Sequence, residues 1–179
     1  MTTRKGFTRR GFLKGTTIAG VLWQSGRIVT AAENSGEVTS YKITPVGRVE
    51  VKDGKAAIRI LDKYIPALKG LEEWSHVNVF YWFDRNDTQQ KRSILQVHPR
   101  GDSENPLTGV FACRSPVRPN LIALSVCKIK SVEGCTVHVE SLDAMDGTPV
   151  LDLKPFNPSD SPTEGVKVPE WAKRSKKKD

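Results

Sequence analysis

The sequence predicts an all-β domain, an antiparallel barrel or sandwich with one short helix and flexible, polar ends. Three observations carry this. Short apolar or alternating runs recur between residues 41 and 153, separated by clusters of Gly, Pro, Asn and Asp. A single stretch, residues 62–68, has the spacing of a helix. No strand is followed by a G-x-G-x-x-G segment and no β-α-β alternation is visible, which excludes a doubly wound nucleotide-binding sheet.

Taken in order, residues 46–51 and 56–61 flank Asp53-Gly54 and form a hairpin signal, with Gly54 available for positive φ. Asp62 is placed to cap a short helix through Tyr64, Ile65 and Leu68 that Gly70 ends. Residues 75–83 alternate most cleanly. His76, Asn78, Phe80 and Trp82 share one face, and Val77, Val79, Tyr81 and Phe83 the other. Residues 84–92 read as a polar loop, 94–97 as a strand, and 98–107, with two prolines and Gly101, as a loop. Residues 121–132 and 136–141 form a second hairpin about Glu133-Gly134, and 150–153 a last strand. Residues 157–179 are rich in Pro, Ser and Lys and read as mobile, with Trp171 a candidate for docking.

The net charge of +8 suggests nucleic acid, but its placement weakens that inference. Of 28 basic and 20 acidic residues, residues 1–32 hold six basic and no acidic ones, and residues 167–179 six basic and two acidic. That leaves 16 against 18 in between, so the ends are basic and the body is not. Cys113, Cys127 and Cys135 lack metal-ligand spacing. With a Glu133-Gly134 turn, Cys135 would face Val132 and Cys127 would face Glu140, too far apart to bridge. All three are expected as small apolar residues. The three scattered histidines predict no metal site.

Thr8-Arg9-Arg10-Gly11-Phe12-Leu13-Lys14 resembles the twin-arginine export signal. The apolar run after it falls far below the roughly 20 residues of a membrane span, and Val29-Thr30-Ala31-Ala32 resembles a cleavage site. The expected organisation is a signal segment at 1–32, a β domain at 33–158 and a basic tail at 159–179. Such a signal, if used, implies a periplasmic or exported protein; otherwise the protein is cytoplasmic.

The chain is organised around residues 109–125, GVFACRSPVRPNLIALS. Pro116 and Pro119 fix φ and remove two donors, so Arg114 and Arg118 stand on a stiffened loop between apolar runs. Two guanidiniums on a rigid loop suit a docked anion, or are solvated and tie the loop to nearby carboxylates. This stretch, with GLEEWSHV before it and LDAMDGTPVLDLKPF after it, resembles the TsaA-like (TrmO/YaeB) family over residues 43–158. The resemblance implies a β-barrel-like fold, S-adenosylmethionine as cofactor, methyl transfer to adenosine N6 of tRNA, and a homodimer.

It also implies site residues. Arg114 and Arg118 match family arginines near the cofactor, either able to hold its methionine carboxylate. Phe83, Asp84 and Arg85 match the segment ending the strand beside the site. Leu142, Asp143, Ala144 and Met145 match the loop that touches the adenosine part. A carboxylate such as Asp143 can accept two hydrogen bonds from a ribose diol, whereas Asp146, before Gly147, reads as turn chemistry. Two departures stand out. Asp84-Arg85 replaces a His-Gln pair, and Lys52-Asp53-Gly54-Lys55 stands where longer members carry a proline-rich loop.

Methyl transfer from a sulfonium needs in-line approach of the acceptor more than an acid or base. Glu72 and Asp143 are the candidates to orient an acceptor amine, and His98 is a candidate for the rim; His76 and His138 read as structural. The catalytic residue is left open. Two functions compete: a tRNA methyltransferase, and an exported binding module with an adenosine-type pocket and no transfer activity, which the export signal favours.

Overall fold

The computed structural model describes residues 40–161 and 164–173. The chain divides into units Met1–Ser40 and Tyr41–Asp179, and the fold is that of the second. The signal segment, its cleavage site, the linker to residue 39 and residues 174–179 of the basic tail lie outside the described residues.

Six strands close an antiparallel barrel in the order β1 (Gly47–Lys52), β2 (Lys55–Ile60), β7 (Thr136–Val139), β6 (Ile122–Glu133), β3 (His76–Trp82) and β8 (Pro149–Pro155). β1 (Gly47–Lys52) and β2 (Lys55–Ile60) are the expected hairpin. Asp53 (φ 50) and Gly54 (φ 70) both take the left-handed region, as a two-residue turn matched to strand twist requires. Asp62–Leu68 is helical, but as a 3-10 helix with Leu61, not Asp62, at its N-cap. Pro66 inside it removes a donor that an α-helix needs, and Gly70 (φ 86) ends the turn.

β3 (His76–Trp82) pairs with β6 (Ile122–Glu133) on one side and β8 (Pro149–Pro155) on the other. Its alternation holds: Val77, Val79 and Tyr81 are buried, and His76, Asn78, Phe80 and Trp82 half-buried. With Val49, Ile58, Cys127, Val137 and Val150, the inward residues fill the barrel as one core. β8 pairs Val150 with Gly47 of β1, which closes the ring.

Several expectations are corrected. The 84–92 segment is not a bare loop: it holds a 3-10 turn at Asp84–Asn86 and α1 (Gln89–Arg92). Thr88 caps α1, its Oγ1 accepting from the Lys91 amide at 3.2 Å. The strand at 94–97 shrinks to β4 (Gln96–Val97), paired with β5 (Thr108–Gly109) in a separate two-stranded sheet. In the second hairpin, β7 (Thr136–Val139) pairs Thr136 with Glu133, so the turn is Gly134-Cys135. Gly134 (φ 58) takes its first position, and a shift between Ile129 and Ser131 follows. Glu140 therefore comes to lie against Lys128, whose carbonyl accepts from its amide, and Cys127 pairs on the other side of β6 with Val77 of β3. The three thiols are free, and burial pushes that of Cys127 up to about 11. The tail carries helical turns at Pro158–Asp160 and α2 (Glu170–Lys173), with Trp171 half-buried. No helix among the described residues is long and apolar enough to cross a membrane.

Candidate functional site

A cavity of about 690 Å³ opens where β3 ends and β6 begins, at the Trp82–Ile122 pair. The start of β6, residues 122–125, and three further segments wall it. The end of β3 and the turn after it supply Phe83, Asp84 and Arg85; the proline loop supplies Arg114 and Arg118; the loop before β8 supplies Leu142, Asp143, Ala144 and Met145. The residues that the sequence singled out thus meet in one place. The barrel explains why: β6 and β8 flank β3, so the loops entering them converge on the end of β3.

The two arginines are not equivalent. Arg118 is half-buried and donates from Nη2 to the carbonyls of Val110 at 2.8 Å and Cys113 at 3.4 Å. It braces the proline loop through backbone acceptors, not carboxylates. Arg114 is exposed, and among the described residues it has no hydrogen-bond or ion-pair partner. Its guanidinium is free for an anion. The side chains of Asp84, Arg85 and Asp143 are likewise exposed and unpaired among the described residues.

The loop carrying Asp143 is fastened at two points. Tyr81 donates its hydroxyl to the Asp143 carbonyl at 2.7 Å, and Ser125 Oγ lies 3.2 Å from the same phenol oxygen. A phenol has one proton to give, so Ser125 is the donor of the second bond. Burial raises the Tyr81 pKa above its ordinary value, against the lowering effect of the Ser125 bond. Farther on, Asp146 Oδ1 accepts from the Val51 amide at 2.8 Å, and the Gly147 amide (φ 80) donates to the Val49 carbonyl. Asp146 is therefore turn chemistry, and Asp143 is the carboxylate the loop leaves open.

Sequence reasoning missed Tyr81 and Ser125, which line the cavity from β3 and β6. A signal existed: a tyrosine on an inward strand face needs a partner for its hydroxyl. Tyr81→Phe takes from the Asp143 carbonyl its donor and from the half-buried Ser125 hydroxyl its acceptor. The expected cost is about 1–3 kcal/mol of stability, read as a lower urea midpoint. An unchanged midpoint would mean that the bond holds nothing.

Other candidates fall away. Glu72 is exposed on the 3-10 turn Leu71–Glu73, outside the cavity. His98 is not on the rim; its Nδ1 bonds the Asn105 carbonyl at 2.7 Å and pins its own loop. His76 stands edge-on to Phe156, and His138 lies 3.8 Å from Glu133. The Lys52–Lys55 tip contributes nothing to the cavity. No group of three or more potential metal ligands occurs among the described residues.

The cavity combines a free guanidinium, a free carboxylate and apolar walls from Phe83, Leu142, Ala144 and Met145. Such a site suits a small ligand with an anionic end, hydroxyl donors and a flat apolar body. The residues present fit a nucleoside carrying an amino-acid tail.

Comparison with known proteins agrees. The tRNA-methyltransferase O N-terminal domain model matches residues 36–161. A probable S-adenosyl-L-methionine-binding protein of Methanocaldococcus jannaschii is 42% identical over 117 residues, 65% of this chain and 93% of that protein. The mouse tRNA (adenine(37)-N6)-methyltransferase is 44% identical over 90 residues, half of this chain but 20% of the mouse protein. The crystal structure of TrmO from Pseudomonas aeruginosa superposes with a TM-score of 0.59 at 25% identity, covering 76% of this chain and 63% of that one.

Proposed function

Because the chain belongs to the tRNA-methyltransferase O N-terminal domain family, we propose that its cavity binds S-adenosylmethionine and that it methylates N6 of an adenosine in tRNA. The observation that carries this reading is the unpaired guanidinium of Arg114 and the unpaired carboxylate of Asp143 on the walls of one apolar cavity. When bound, S-adenosylmethionine supplies an electrophilic methyl group on a sulfonium. Arg114 would hold its carboxylate, Asp143 its ribose hydroxyls, and Phe83, Leu142, Ala144 and Met145 its adenine. Arg118 keeps the proline loop in place, and Tyr81 keeps Asp143 at the wall. The chain's contribution is alignment and exclusion of water around the acceptor, the main demand of a displacement without proton chemistry at the donor. Asp84 and Arg85, exposed on the cavity wall in the turn after β3, would meet the acceptor. A second copy of the chain would cover the exposed Leu95, Leu107 and Phe111, giving the homodimer.

The test is transfer of labelled methyl from S-adenosylmethionine to unmodified tRNA. The folded body is not basic, so the Lys-rich tail should supply much of the electrostatic affinity. Deleting residues 173–179 is expected to flatten the dependence of tRNA affinity on salt; an unchanged slope removes the tail from that role. The motif Thr8–Lys14 favours a second reading, an exported binding module with the same adenosine-type pocket and no transferase activity. Cofactor binding without methylation of tRNA, together with cleavage near Ala32 in cells, would select it.

A further inference from the structure

We propose that Arg92, which the site does not include, is a positioning residue that sets the proline loop against the end of β3. The inference rests on the cavity being the cofactor site. One guanidinium joins three parts of the structure. Its Nε donates to Asp87 Oδ1 at 2.7 Å, its Nη1 donates to the Pro119 carbonyl at 2.9 Å, and its Cζ lies 5.1 Å from the centre of the Trp82 ring. The Trp82 Nε1 donates to the other Asp87 oxygen at 3.1 Å, so carboxylate, indole and guanidinium close a ring of contacts.

The placement of this ring matters. Trp82 is a cavity wall and the last residue of β3. Pro119 follows Arg118 on the proline loop, and lacking an amide it offers only its carbonyl. The segment between Trp82 and Arg92 is braced internally, with Lys91 Nζ bonded to the Arg85 carbonyl and to Asn86 Oδ1 at 2.8 Å. Through its bonds to Asp87 and to the Pro119 carbonyl, Arg92 ties this braced turn, which bears Asp84 and Arg85, to the loop that bears Arg114 and Arg118. Its planar fork is what lets one group bond a carboxylate and a carbonyl at once while lying over an indole.

Lysine at this position keeps a cation for Asp87 but has no fork to span Asp87 and Pro119 together. The test therefore compares Arg92→Ala and Arg92→Lys in the full chain by two readouts. The first is alkylation of Cys113, the half-buried thiol at the start of the proline loop, with Cys135 at the far hairpin turn as internal control. The second is affinity for S-adenosylhomocysteine, a stable probe of the same pocket. Both variants are expected to speed Cys113 alkylation without changing that of Cys135, and to weaken the probe about tenfold. Arg92→Lys should recover most of the melting temperature lost in Arg92→Ala while failing to recover affinity. Unchanged Cys113 labelling in Arg92→Ala, or full affinity in Arg92→Lys, overturns the proposal. If the unaltered protein does not bind the probe, the cofactor reading falls and the positioning role toward it falls with it, whereas faster Cys113 labelling would still establish the loop contact.

Discussion

Arg114→Ala is expected to weaken S-adenosylmethionine binding by about 1.5–3 kcal/mol, roughly ten- to 150-fold, the range for hydrogen bonds that involve a charged group. The size follows from how little else Arg114 does. Its guanidinium is exposed, on a loop stiffened by two prolines, and it bonds nothing else among the described residues. Removing it should therefore leave stability nearly unchanged, with the whole effect in binding. Arg118→Ala is the contrast. That side chain bonds the Val110 and Cys113 carbonyls, so its loss should lower the urea midpoint as well as affinity. Calorimetric titration and a denaturation curve for each variant separate the roles. Equal binding by Arg114→Ala and the unaltered chain would remove the carboxylate anchor from this loop.

The asymmetry between the two arginines marks the limit of what the sequence discloses. The family resemblance, not composition or periodicity, brought Phe83, Asp84, Arg85, the arginine loop and residues 142–145 together, and the strand order that makes them one rim, with β6 and β8 flanking β3, is not readable from local pattern. Which guanidinium turns back on its own loop depends on the path between Pro116 and Pro119, and no pattern encodes that path. Alternation puts Tyr81 on the same strand face as Val77 and Val79, yet its hydroxyl partner lies 62 residues away on the Asp143 carbonyl. Two misreadings have local causes. α1 spans four residues, shorter than any window in which helical periodicity is visible, and only Thr88 announces it. The second hairpin slipped by one residue because Glu133-Gly134 and Gly134-Cys135 both contain the glycine that the turn needs. Only the positive φ at Gly134 and the adjacent bulge decide between them.

The largest expected effect on stability comes from a glycine that sequence reading passed over. A Cβ at Gly47 would collide with the Arg59 carbonyl oxygen and lie 3.1 Å from Ile60 Cδ1. Gly47 pairs with Ile60 of β2 and with Val150 of β8, so it stands on the seam that closes the barrel. The obstructing carbonyl belongs to a strand paired on both sides, with Arg59 opposite Arg48 and Thr136, and cannot move without moving the ladder. Gly47→Ala is therefore expected to cost about 3 kcal/mol, the upper end of the usual cost of overpacking. That is a large share of the roughly 5–15 kcal/mol that holds a domain folded. Gly54→Ala is the control: nothing lies within 4 Å of its Cβ, and only its φ of 70 resists the change. It should cost about 1 kcal/mol. The effect at Gly47 reaches the site as well. The Val49 amide bonds the Thr148 carbonyl, the Gly147 amide bonds the Val49 carbonyl, and Asp146 bonds the Val51 amide. β1 thus anchors the loop that presents Asp143, and displacing β1 should weaken ligand binding even where the barrel remains folded. A urea midpoint unchanged in Gly47→Ala would mean that the seam yields freely to the added Cβ.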